Sequence, residues 1–95
     1  MTIRQFQQLI RDIYFEKDSG RGLDAAFVWF IEEVGELSRA LKRGTIESQA
    51  EEFADVLAWL ATMASIVGVD LEAATSQKYS AGCPKCRETP CICRF

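Results

Sequence analysis

Two short acidic segments carry most of the chemistry open to this chain. The first reads Glu32-Glu33-Val34-Gly35-Glu36-Leu37. The second, Glu51-Glu52-Phe53-Ala54-Asp55-Val56, begins 19 residues later. Each holds a Glu pair, an apolar residue, a small residue, an acid and an apolar residue, with Leu41 or Leu60 one turn beyond. This is an internal repeat, shorter than those of solenoid proteins. Its donors are carboxylate oxygens only. Such a set favours a hard cation, Mg²⁺ or in its place Mn²⁺.

The segments become a site only if helices present them. At about 100° per residue, Phe30, Val34, Leu37 and Leu41 form one apolar stripe. Glu33 falls inside that stripe and Glu36 at its edge. Glu52 and Asp55 repeat the placement on the second segment, while Glu32 and Glu51 turn outward. Folding the chain at Gly44 sets Glu36 level with Glu52 and Glu33 level with Asp55. The two levels are only about 4.5 Å apart at 1.5 Å rise per residue. Uncompensated anions in such a seam must be paired, protonated or metal-bound. No Lys or Arg shares the stripe. For Glu32, Glu47, Glu51 and Glu72 taken singly, a solvated helix face is the simpler reading.

Four helices are predicted. The first runs from about Ile3 to Lys17, with Thr2 and Gln5 in a capping-box pattern. Asp18, Ser19, Gly20, Arg21 and Gly22 then read as a flexible loop. The second helix runs from about Asp24, a candidate N-cap, to Arg43, with Gly44 as its stop signal. Thr45 caps a third helix that reaches Val67 before Gly68, and Asp70 caps a fourth that ends near Tyr79. No strand pattern remains. The expected class is all-α: a four-helix bundle over residues 1–81, then a short cysteine-rich knuckle over residues 82–95.

Composition narrows the options. A chain of 95 residues makes one small domain. Its net charge of −3 argues against a nucleic-acid polymer as partner. The absence of histidine excludes Ser-His-Asp and Cys-His catalysis and argues against di-iron bundles. Met1 to Ile10 lacks the apolar run of a signal peptide, and the apolar stretches Ala25–Ile31 and Val56–Ala61 are too short to cross a bilayer. The expectation is a cytoplasmic protein with no membrane contact.

In a reducing compartment, clustered cysteines favour metal over disulfides. The tail reads Cys83-Pro84-Lys85-Cys86 and then Cys91-Ile92-Cys93. These four thiols can supply a structural Zn²⁺ site, with disulfides or a disordered thiol tail as alternatives. A closed tetrathiolate would have no catalytic position. Lys85, Arg87 and Arg94 are placed to offset its charge.

Taken together, Glu32-Glu33-x-x-Glu36 and Glu52-x-x-Asp55 resemble the signature of the MazG-like nucleoside triphosphate pyrophosphohydrolases, members of the all-α NTP pyrophosphatase group. The similarity runs through Trp29, Leu37, Val56, Leu57 and the Gly68-Val69-Asp70-Leu71 turn to Lys78, and covers roughly Ile3 to Tyr79. The resemblance implies a Mg²⁺-dependent hydrolase acting on a nucleoside triphosphate or related nucleotide, with Glu33, Glu36, Glu52 and Asp55 as metal ligands. It places Glu32 beside the site and Lys78 against phosphate. An exposed helix-end lysine is the plain alternative for Lys78. Either Glu36 or Glu32 is placed to act as general base. Unlike family members with basic contacts just before the acidic motif, this chain has Phe27-Val28-Trp29-Phe30-Ile31 there. Positive charge must come from Arg4, Arg11, Lys17, Arg21, Lys42 or a neighbouring subunit.

Trp29 and Trp59 sit on the carboxylate side of their stripes, where core or interface packing competes with stacking on a nucleobase. The wide apolar arcs of the second and third helices call for a homodimer or homotetramer. A competing functional class is a non-catalytic module that binds nucleotide or metal and uses its zinc knuckle for protein contact.

Overall fold

The computed structural model describes residues 1–94. Its elements are α1 (Ile3–Arg21), α2 (Leu23–Arg43), α3 (Ile46–Val67) and α4 (Leu71–Tyr79), followed by the non-helical tail. Among the described residues there is no strand. The predicted caps form. Thr2 accepts from the Gln5 amide at 3.0 Å while the Gln5 side chain accepts from the Thr2 amide at 2.8 Å. Thr45 and Asp70 accept from Ser48 and Ala73, and Gly68 closes α3 in the left-handed conformation at φ 81°.

Gly44 ends α2 for a different reason. Its φ of −85° is ordinary, so left-handed freedom is not what it supplies. A Cβ there would run into Ser48 Oγ and would lie 2.7 Å from the Ala40 carbonyl oxygen. The α2–α3 turn is tight enough that only hydrogen fits.

Two expectations for the first turn are corrected. Residues Asp18 to Arg21 are not a loop: α1 continues through them and the break is confined to Gly22, at φ 88°. Gly20 in a helix costs about 1 kcal/mol, but this segment is held by contacts its local sequence does not show. Asp18 is only 4% exposed, accepts from Thr62 on α3 at 3.4 Å, and lies 3.5 Å from the Arg21 guanidinium. Nor does Asp24 cap α2. The cap position is Gly22, and Asp24 lies in the first turn, where its charge complements the helix dipole.

The α2–α3 hairpin is the main packing unit, with α1 laid across α3 and α4 held against α1. Small residues set the close approach: Ala26, Ala61 and Ala64 are buried, beside Ile10. Gln7 ties α1 to the α3–α4 turn, donating to Val69 O and accepting from Leu71 N. Arg4 pairs with both Asp70 and Glu72 at 2.8 Å. Among the described residues no helix is by itself long and apolar enough to cross a membrane; α3 and α4 meet such a test only jointly, across a 97° bend.

Candidate functional site

The carboxylates meet where the two helices run side by side. One oxygen each of Glu33, Glu36 and Glu52 lies within 4.8 Å of the other two. Glu33 and Glu52 are half-buried and Glu36 is exposed. No hydrogen-bond donor reaches Glu33 Oε2 or Glu52 Oε2, although both atoms are buried. Buried carboxylate oxygens in native proteins are normally paired. Burial, followed by the charges of Glu36, Asp55 and Glu52, pushes the Glu33 carboxyl above its ordinary range. Glu52 is raised by burial and then by Glu36 and Asp55. These are the signs expected of acids crowded without a counter-charge.

Asp55 lies outside the three-oxygen group but faces the same space, sharing a cavity of about 230 Å³ with Glu33. Tyr14, Lys17, Asp18, Arg21, Ala58, Trp59 and Thr62 complete its lining. The cavity is therefore acidic on the α2–α3 side and carries two cations from the end of α1. This places two of the five basic residues considered from sequence, Lys17 and Arg21, next to the acids. Arg4 is paired with Asp70 and Glu72. Arg11 lies over the Phe15 ring at 4.2 Å.

The remaining candidates sit apart. Glu32 is exposed on the outer face of α2. Lys78 is exposed in the last turn of α4, its Nζ 5.7 Å from the Tyr79 ring, and does not line the cavity. Trp29 stacks on Trp59, with centroids 6.1 Å apart and planes 8° from parallel. This pair bridges α2 and α3 and brings Trp59 to the cavity wall. Sequence reasoning missed Asp18 and Thr62. Both are polar residues at positions whose burial depends on how α1 crosses α3, which periodicity within one helix does not reveal.

A second cluster lies in the tail. One Sγ from each of Cys83, Cys86, Cys91 and Cys93 falls within 4.8 Å of the other three. The Cys83–Cys93 and Cys86–Cys91 pairs are 3.7 and 3.9 Å apart. Backbone amides of Cys86 and Lys85 lower the Cys83 thiol, and those of Ile92 and Glu88 draw Cys86 down to about 6. The Cys93 amide donates to Cys91 Sγ at 3.3 Å. Either cluster has the donor count and closeness to hold a metal, one with hard oxygen donors and the other with soft sulfur.

Comparison with known families adds one finding. Residues 22–87 match the family model of the MazG nucleotide pyrophosphohydrolase domain. The match spans α2, α3 and α4 and reaches the first two cysteines. No curated protein matches the chain.

Proposed function

The chain belongs to the MazG nucleotide pyrophosphohydrolase family, and from that premise we propose that it hydrolyses a nucleoside triphosphate, or a related nucleotide, to the monophosphate and pyrophosphate with the help of Mg²⁺. One observation carries this reading: two carboxylate oxygens, on the neighbouring Glu33 and Glu52, are buried with no donor. Oxygen-only donors and missing hydrogen bonds fit a hard divalent cation, with Glu33, Glu36, Glu52 and Asp55 as the residues that would hold it. When bound, the ion supplies charge neutralisation and Lewis acidity at the phosphates.

The chain's own side chains account for the remaining work. Lys17 and Arg21 take phosphate oxygens from the α1 side of the cavity, offsetting an anionic ligand beside an acidic wall. Glu36, exposed within the cluster, or Glu32, exposed further out on α2, accepts a proton from the attacking water. A bond forms between that oxygen and the α-phosphorus as the bond to the bridging oxygen breaks, and pyrophosphate leaves. Trp59, backed by Trp29, offers an aromatic face at the cavity wall to a nucleobase. Lys78 reaches a phosphate only from another direction, and a neighbouring subunit is the simplest way to bring it there.

The functional unit is a homodimer, or a tetramer of dimers. Phe27, Val28, Ile31, Phe53 and Leu57, all on the α2–α3 hairpin, are each about half exposed, between 45% and 58%. A patch of that kind is characteristic of an interface. Such an enzyme would work in the cytoplasm.

The test is pyrophosphate release by the purified full chain, with and without Mg²⁺, across canonical and modified nucleotides. Turnover of at least one nucleotide that stops on chelation is expected. Tight nucleotide binding with no release across the panel would replace the hydrolase with a binding module.

A further inference from the structure

We propose that Cys83, Cys86, Cys91 and Cys93 bind one structural Zn²⁺ ion as a closed tetrathiolate, a second metal centre separate from the carboxylate cluster. The geometry is that of a ready coordination shell. Zinc–sulfur bonds of about 2.3 Å in a tetrahedron require sulfur–sulfur edges of about 3.8 Å. The observed edges of 3.7 Å (Cys83–Cys93) and 3.9 Å (Cys86–Cys91) fall on either side of that value. All four sulfurs also lie within 4.8 Å of one another. Two separate disulfides would instead need two sulfur pairs at about 2.0 Å and no common centre.

The backbone around the sulfurs is built for the same purpose. The Arg87 amide donates to Cys83 O at 2.7 Å and the Cys83 amide to Glu88 O at 3.1 Å, closing a tight turn around the first two cysteines. Arg87 takes a left-handed φ of 62° to make that turn. Gly82 enters it at φ 93°, where a Cβ would sit 2.6 Å from Thr89 Oγ1 and 2.9 Å from Glu88 O. The Cys93 amide donates to Cys91 Sγ at 3.3 Å. Outer hydrogen bonds of this kind spread thiolate charge and orient ligands. Binding releases the remaining thiol protons and leaves a centre of charge −2, which Lys85, Arg87 and Arg94 partly offset. The described tail has no helix or strand, so a metal is the natural source of its order.

Measurements on the full chain decide the matter. Elemental analysis after growth in unsupplemented medium should give about one zinc per chain, and intact mass should show four reduced thiols or their zinc adduct. Cobalt exchanged into the site should give sulfur-to-metal charge-transfer bands and the strong visible bands of tetrahedral Co²⁺. Cys86→Ser and Cys91→Ser should each lower zinc content by about tenfold without altering α-helical circular dichroism, which would show that the helices still fold. Zinc content unchanged in both variants, iron in place of zinc, or a mass deficit of two disulfides in protein kept under reducing conditions would overturn the proposal. None of these readouts depends on nucleotide turnover, so the zinc centre and the hydrolase reading can fail separately.

Discussion

Asp18 and Glu33 line the same cavity, with Glu52 beside Glu33, but the acids differ in what surrounds them. Asp18 is more deeply buried, at 4% exposure, yet it accepts from Thr62 and lies beside Arg21. Glu33 and Glu52 are only half-buried, yet each hides an oxygen with no donor. Burial of an acid is therefore not what marks a site here. The mark is an unmet requirement for positive charge. Asp18 is satisfied within the protein and ties α1 to α3, whereas Glu33 and Glu52 each keep one buried oxygen with no donor.

The sharpest way to break this contrast is to neutralise the acids one at a time. Glu36→Gln and Glu52→Gln keep volume and remove charge. Each should lower Mg²⁺-dependent pyrophosphate release by about 10³-fold while leaving α-helical circular dichroism intact. Activity near the parent level in either variant would detach the acidic cluster from the chemistry. The cations opposite should matter less, because they bind phosphate rather than assemble the site. Lys17→Ala should cut kcat/KM by about tenfold, the loss of one charge-assisted contact. A Lys17→Ala enzyme with unchanged kinetics would leave Arg21 or a partner subunit as the phosphate contact.

Much of this arrangement was legible in the residues themselves. The repeat and the Gly44 turn fix the register of α2 against α3, because helical rise and rotation are constants; Glu33, Glu36 and Glu52 meet where that arithmetic puts them. Thr2, Thr45, Asp70 and Gly68 cap as their types require. The end of α1 was not legible. Asp18-Ser19-Gly20 carries every local sign of a loop, yet it is helical, with Asp18 buried and in contact with Thr62, 44 positions away. The same helical stretch carries Lys17 and Arg21 to the cavity. Local composition therefore reveals the acids on the hairpin, and long-range packing decides which cations face them.

That packing can be tested from the satisfied side of the comparison. Asp18→Ala removes the acceptor of Thr62 and the neighbour of Arg21, and should destabilise the fold by about 2 kcal/mol, seen as a lower midpoint in urea. Asp18→Asn keeps an acceptor for Thr62 and should lose less. Equal stability of Asp18→Ala and the parent would mean that α1 is held at this end by apolar contacts alone.

The smallest effect expected, and the one that separates the two kinds of acid most cleanly, is on stability against pH without metal. Glu33 and Glu52 have folded-state values raised above 4.5 by burial and mutual charge. Their protonated forms are favoured by folding, so this contribution is complete below the ordinary carboxylate range and lost as pH rises through the raised values. Asp70 runs the other way: Arg4 and the Ala73 amide hold it below 3.8, so its contribution is present above that range and fails only in acid. In chelator, the melting temperature of the parent should fall relative to that of Glu52→Gln as pH rises above the ordinary carboxylate range, because the variant lacks one of the raised acids. Magnesium selects the ionised acids, so it should raise the melting temperature more at the alkaline end than at the acid end. Melting temperatures of parent and Glu52→Gln that run parallel with pH, with no response to magnesium, would place Glu33 and Glu52 in the class of Asp18, acids already satisfied by the protein around them.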